Sequence, residues 1–126
     1  MLEKLAGLVN DDEALVRRGR HLTGAFLVEA RPRSWLIHVL RGRIEKVEEG
    51  PFVMPSWRFA LRAEESVWQR FWQARPAPGE HDLLALVRRG LMKFEGDLQP
   101  LMANLLYLKG VLEAPRALAT SRGAAQ

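Results

Sequence analysis

The chain has 126 residues and a mass of 14.3 kDa, one domain's worth of protein and long enough to bury a core without help from a metal or disulfide. Its composition, 48% apolar and 27% charged, matches ordinary globular proteins and excludes disordered and fibrous classes. Cysteine is absent, which excludes disulfide frameworks, thiolate metal sites and thiol nucleophiles while leaving the redox compartment open. Nineteen basic residues against fifteen acidic give a net charge of +4, and fifteen of the bases are arginine. That excess suits anionic lipids, acyl-CoA phosphates or nucleic acid without choosing among them. The longest apolar run, Leu83–Val87, falls far short of the roughly 20 residues of a membrane span. Glu3, Lys4 and the acidic Asp11–Glu13 do not read as a signal peptide, so the expectation is a soluble, cytoplasmic protein.

Leu2, Leu5, Leu8 and Val9, then Ala14, Leu15 and Val16, recur at helical spacing. Asp11 or Asp12 can cap a second short helix and Gly19 can stop it, so one bent helix or two short ones fit. From His21 the period becomes two. Leu22, Gly24, Phe26, Val28 and Ala30 share one face of a strand, and Trp35, Ile37 and Val39 one face of the next, after the turn Arg31-Pro32-Arg33. Arg41-Gly42-Arg43 turns into a short strand, Ile44–Val47, completing an antiparallel meander. Beyond the loop Glu49–Pro55, Trp57, Phe59 and Leu61 alternate with Ser56, Arg58, Ala60 and Arg62 in a fourth strand.

Glu64–Gln73 returns to helical spacing, with Val67, Trp68, Phe71 and Trp72 on one face and glutamates in the first turn, where the dipole favours them. Asp82 caps a short helix ended by Gly90, Leu91–Glu95 forms a strand, and Asp97 caps a last helix that tolerates Pro100 in its first turn. That helix carries Leu98, Leu101, Leu105, Leu108 and Leu112 on one stripe with Met102 beside it, while Leu106, Tyr107 and Val111 fall outside. Pro115 stops it. The expected division is one domain over 1–114 and a disordered small-residue tail over 115–126.

Catalytic motifs are missing: there is no G-x-S-x-G, P-loop, G-x-G-x-x-G or H-E-x-x-H. His21, His38 and His81 are scattered, and His38 reads as a partly buried structural histidine. The pairs Asp11-Asp12, Glu48-Glu49 and Glu64-Glu65 sit at loops and helix starts, where solvation and the helix dipole account for them. Neither enzyme activity, a cofactor nor a metal is therefore expected. Nucleic-acid binding is disfavoured too, because the fourth strand sets its aromatics (Trp57, Phe59) and its arginines (Arg58, Arg62) on opposite faces, whereas a stacking platform needs them together.

The run from Asp82 to Leu98 (DLLALVRRGLMKFEGDL), followed by Met102-Ala-Asn-Leu-Leu-Tyr-Leu, resembles the end of a sterol-carrier-protein type-2 lipid-transfer domain. In that family a short helix ends in glycine, a strand runs into a Gly-Asp or Gly-Asn turn, and an apolar helix follows. The meander, the fourth strand and the Trp68 helix keep the same order, so the resemblance spans about residues 20–114. It implies an α+β fold with a five-stranded, mainly antiparallel sheet, covered by helices on one face and enclosing a hydrophobic tunnel. It also implies non-catalytic binding or transfer of a sterol, fatty acid, acyl-CoA or phospholipid. Phe26, Trp35, Phe59, Trp68, Phe71, Leu101, Met102, Leu105 and Leu108 are the expected tunnel-lining residues. Transient contact with a membrane surface and a homodimer or enzyme partner are compatible with it. The chain departs from the family in ending Gly-Ala-Ala-Gln, where eukaryotic members often carry a peroxisomal signal, and in its proline- and alanine-rich loop over 73–80. A second reading is a protein-interaction or dimerisation module with a filled cavity, motivated by a second apolar face at Leu106, Tyr107 and Val111.

Overall fold

A computed structural model describes residues 2–73 and 75–117. A short 3-10 turn, Leu2–Lys4, leads into α1 (Leu5–Asn10) and α2 (Glu13–Arg18). Asp12 caps α2 by accepting from the Leu15 amide at 3.1 Å, and Gly19 ends it. The meander follows as β1 (Gly24–Arg31), β2 (Arg33–Leu40) and β3 (Arg43–Glu49). β4 (Phe59–Glu64) pairs with the free edge of β1, and β5 (Met92–Gly96) pairs with β4. The sheet order is β3-β2-β1-β4-β5. Three of its pairings are antiparallel, but β1 and β4 run parallel, with Phe26 opposite Phe59. The sheet is therefore mixed, because the chain leaves β3 at one end and must travel the length of the sheet before β4 begins.

Connection 50–58 makes that journey across the outer face. Phe52 and Trp57 pack there against Leu27, Leu36 and Ala60, forming a small cluster separate from the main core. The sequence expectation put Trp57 on the inner face with Phe59. The chain bends at Arg58 before the strand begins, which breaks the two-residue phase and turns Trp57 outward. Arg62 lies over its ring at 5.6 Å, so arginine and aromatic share the outer face and the opposition expected from the sequence fails for this pair. Arg62 is also held by Glu29 at 2.7 Å and Glu95 at 2.6 Å.

The inner face is covered by α1, α2, α3 (Glu65–Phe71), α4 (Leu83–Arg88), α5 (Leu98–Ala103) and α6 (Leu105–Glu113). Their apolar residues join Phe26, Val28, Trp35, Ile37, Phe59 and Leu61 in one continuous core. The expected caps are present: Asp82 accepts from the Ala85 amide at 3.2 Å and Asp97 from the Gln99 amide at 3.3 Å. Asn10 fastens α1 to the outer strand, accepting from the Ile44 amide at 2.8 Å and donating to its carbonyl at 2.9 Å. At the other end of the chain Pro115 is buried and the Arg116 guanidinium donates to the Phe71 carbonyl at 2.8 Å. The remainder of the expected tail lies outside the described residues.

The single last helix expected from the sequence is two. Asn104 ends α5, its side-chain amide donating to the Pro100 carbonyl at 2.9 Å, a local bond of the kind by which asparagine competes with helix continuation. The break resets the helical phase. Leu98 and Met102 become 46% and 49% exposed, whereas Tyr107 and Val111 are buried in the core. The second apolar face that motivated an interaction module is thus corrected: of its three members only Leu106, 71% exposed, reaches the surface.

Candidate functional site

The break at Asn104 opens a cleft between the last two helices and the end of α2. Met102, Leu105 and Leu106 supply its apolar wall, Tyr107 its floor, and Arg18 and Arg20 its rim, around a volume of about 500 Å³. A cleft of this size is in the range that holds small organic ligands. Tyr107 fixes the floor. Its hydroxyl donates to the Gly42 carbonyl at 2.7 Å, and its ring lies so close to the Gly19 Cα that a β-carbon there would collide with it. Gly42 has φ +85°, and a β-carbon on it would strike the Val16 carbonyl, so only glycine fits at the tip of the β2–β3 turn. Burial pushes the Tyr107 phenol well above its usual range, keeping it a neutral donor.

The rim is electropositive. Among the described residues neither Arg18 nor Arg20 forms an ion pair, and Arg20 makes one bond, to the Arg17 carbonyl at 2.9 Å. A second, smaller cleft of about 310 Å³ lies toward the C-terminal end of α6, between Leu8, Asp12, Leu15 and Glu113. Its rim is acidic, which disfavours an anionic ligand there.

Seven of the nine residues expected to line a tunnel, Phe26, Trp35, Phe59, Trp68, Phe71, Leu101 and Leu108, are buried together in the main core. Phe26 and Phe59 stack at 5.3 Å, and Trp68 meets Phe71 edge-on at 5.6 Å. The Trp68 indole donates to the Glu29 carbonyl at 2.8 Å, which satisfies its polar edge. Leu105 touches both this core and the cleft, and Met102 stands on the cleft wall alone. Arg18, Arg20, Leu106 and Tyr107 belong to the site but were not among the expected residues. Arg18 ends α2 and Arg20 follows it, and their place beside Leu106 depends on how α2 packs on α6.

No family model matches the chain, and no curated protein matches it. Solved structures do. One is the crystal structure of a sterol carrier protein 2, with a TM-score of 0.73 and 16% identity over 89% of this chain and 90% of that one. The chain has the sterol carrier protein 2 fold. A Thermus thermophilus protein described as possibly a sterol carrier protein aligns with a TM-score of 0.71 and 16% identity, over 93% and 85% of the two chains. A ubiquinone synthesis protein, UbiJ-SCP2, aligns at 0.57 and 22% identity, over 89% and 88%. The fold expected from the resemblance is therefore present, with the parallel β1–β4 pairing as the detail that the sequence did not supply. Among the described residues no helix is long and apolar enough to cross a bilayer, no three metal-ligating side chains cluster, and no charged side chain is buried in the core.

Proposed function

We propose that the protein is a non-catalytic carrier of a hydrophobic ligand with an anionic head, a fatty acid, acyl-CoA or phospholipid. The observation that carries this reading is the cleft at Asn104. It joins an apolar wall, continuous with the core through Leu105, to a rim of two arginines that form no ion pair among the described residues. The sterol carrier protein 2 fold supports it as a likeness of architecture. In this reading the tail enters past Met102 and Leu105 toward Leu108, Phe26 and Phe59. Affinity comes mainly from the tail, since each buried methylene contributes about 0.8 kcal/mol while an exposed ion pair contributes about 0–1 kcal/mol. Arg18 and Arg20 then select the headgroup.

Native mass spectrometry of the purified protein, with solvent extraction of the same sample, tests this directly. The expected result is an adduct of lipid mass that is lost on unfolding. Leu105→Trp narrows the passage, and displacing about two methylenes of tail weakens fatty-acid uptake about tenfold in a folded protein. A bare mass after incubation with fatty acids and acyl-CoA overturns the reading, and a protein-interaction role for the same fold then takes its place.

A further inference from the structure

Among the described residues the α-helices all lie on the inner face of the sheet, and the outer face carries only the connection 50–58. Phe52 and Trp57 root that connection, half-buried against Leu27, Leu36 and Ala60. Between them Val53 and Met54 are 95% and 93% exposed, the two most exposed large apolar side chains among the described residues. Pro51 and Pro55 flank the pair with φ fixed by their rings. Met54 itself has φ +49°, a left-handed conformation that non-glycine residues seldom adopt. The backbone thus holds the tip up, away from the cluster beneath it.

The surroundings of the tip are neutral. On the outer face three cations, Lys46, Arg62 and Lys93, stand with three carboxylates, Glu29, Glu48 and Glu95. Arg62 takes Glu29 and Glu95, while Glu48 takes His38 at 2.9 Å and Lys46 at 3.2 Å. The chain as a whole carries +4, so two copies repel one another in general, but two outer faces meet without that penalty. Carboxylates around the tip also disfavour an anionic bilayer there. The size is suitable too. Five strands at about 4.8 Å spacing and about 20 Å long give a footprint of roughly 500 Å² in projection. The relief of the standing loop brings the accessible surface toward the roughly 800 Å² per partner of a standard interface.

We infer that a second copy of this chain covers the outer face, in a two-fold dimer whose Val53–Met54 tips pack against each other at the axis. A patch that is apolar at its centre and charge-balanced at its rim is self-complementary under such an axis. The Asn104 cleft lies on the helix-covered side, so both copies keep it open. Sedimentation velocity over a dilution series tests the inference. The wild-type protein sediments as a dimer that dissociates on dilution and persists in high salt, because its central contact is apolar and is not screened. The variant V53D/M54D changes side chains that are almost fully exposed in the monomer, so it stays folded by circular dichroism. It raises the dimer dissociation constant at least about 100-fold. Leu98→Asp, at an exposed position on the helix side, leaves the dimer intact. The chain has no cysteine, so Met54→Cys supplies a single thiol at the axis and diamide oxidation links two copies through it, whereas Leu98→Cys stays unlinked. A monomer at every concentration overturns the inference, including one whose tip is taken up by phosphatidylcholine vesicles. A dimer that survives V53D/M54D, or that falls apart with Leu98→Asp, overturns it as well. Either result leaves the carrier reading standing, because native mass spectrometry reads retained lipid and sedimentation reads association.

Discussion

Replacing Tyr107 with phenylalanine removes one oxygen from the floor of the cleft and leaves the ring packing intact. That oxygen donates to the Gly42 carbonyl at 2.7 Å, in a site where the tyrosine is 1% exposed. A buried carbonyl left without its donor costs about 1–3 kcal/mol. For a domain of this size each kcal/mol corresponds to about 3–5 °C of melting temperature, so Tyr107→Phe melts roughly 3–15 °C lower. The pH dependence gives an independent signature. Burial raises the phenol above its ordinary value of 10.0, so the folded state holds the proton more tightly than the unfolded chain. The associated stability is complete below about pH 10 and is lost as pH rises from there through the folded value. Tyr107 is the only tyrosine in the sequence, so tyrosinate absorbance reports on it alone. In the wild-type protein that absorbance stays flat near pH 10 and rises with alkaline unfolding, and the difference in stability between wild type and variant shrinks over the same range. A folded protein whose tyrosine titrates near 10, or a variant that melts with wild type, refutes the assignment.

Two further substitutions probe the frame that holds the cleft. Asp82 caps α4 and pairs with Lys109 of α6 at 2.8 Å, and the hydrogen bond from Lys109 is the main cause that holds its carboxyl below the usual value. Its contribution is present above the unfolded pKa of about 4 and is lost as pH falls below that, so Asp82→Asn flattens the acid limb of a stability–pH profile. Asn10→Ala removes both bonds to Ile44 and destabilises by about 1–3 kcal/mol in urea unfolding; Asn10→Asp, which keeps the acceptor for the Ile44 amide, recovers part of the loss. An unchanged midpoint for the alanine variant refutes the clamp.

The fold was legible where local physics decided it. Strict alternation at Trp35, Ile37 and Val39 placed β2 and its inner face, and Asp12, Asp82 and Asp97 marked helix starts that the structure caps as expected. The misreadings occur where phase is broken by one residue. The bend at Arg58 sends Trp57 to the outer face, and the stop at Asn104 buries Tyr107 while exposing Met102. Neither residue breaks a pattern on propensity alone, so extrapolating the period past it misplaces the side chains beyond. The site was less legible than the fold. Its rim joins Arg18 and Arg20 to Leu106 across most of the chain, a pairing set by how two helices pack on a shared sheet and encoded in no local spacing.

The parallel pairing of β1 with β4 also governs the order in which the molecule can assemble. Its partners are 33 residues apart, as in Glu29 and Arg62, so a long loop must close before the contact repays the lost entropy. The meander 24–49 needs only tight turns and emerges from the ribosome complete before β4 has emerged. It then offers the bare edge of β1 and an uncovered inner face for as long as the remaining residues take to arrive. The newly made protein is therefore most prone to aggregation during that interval, before β4 closes the edge.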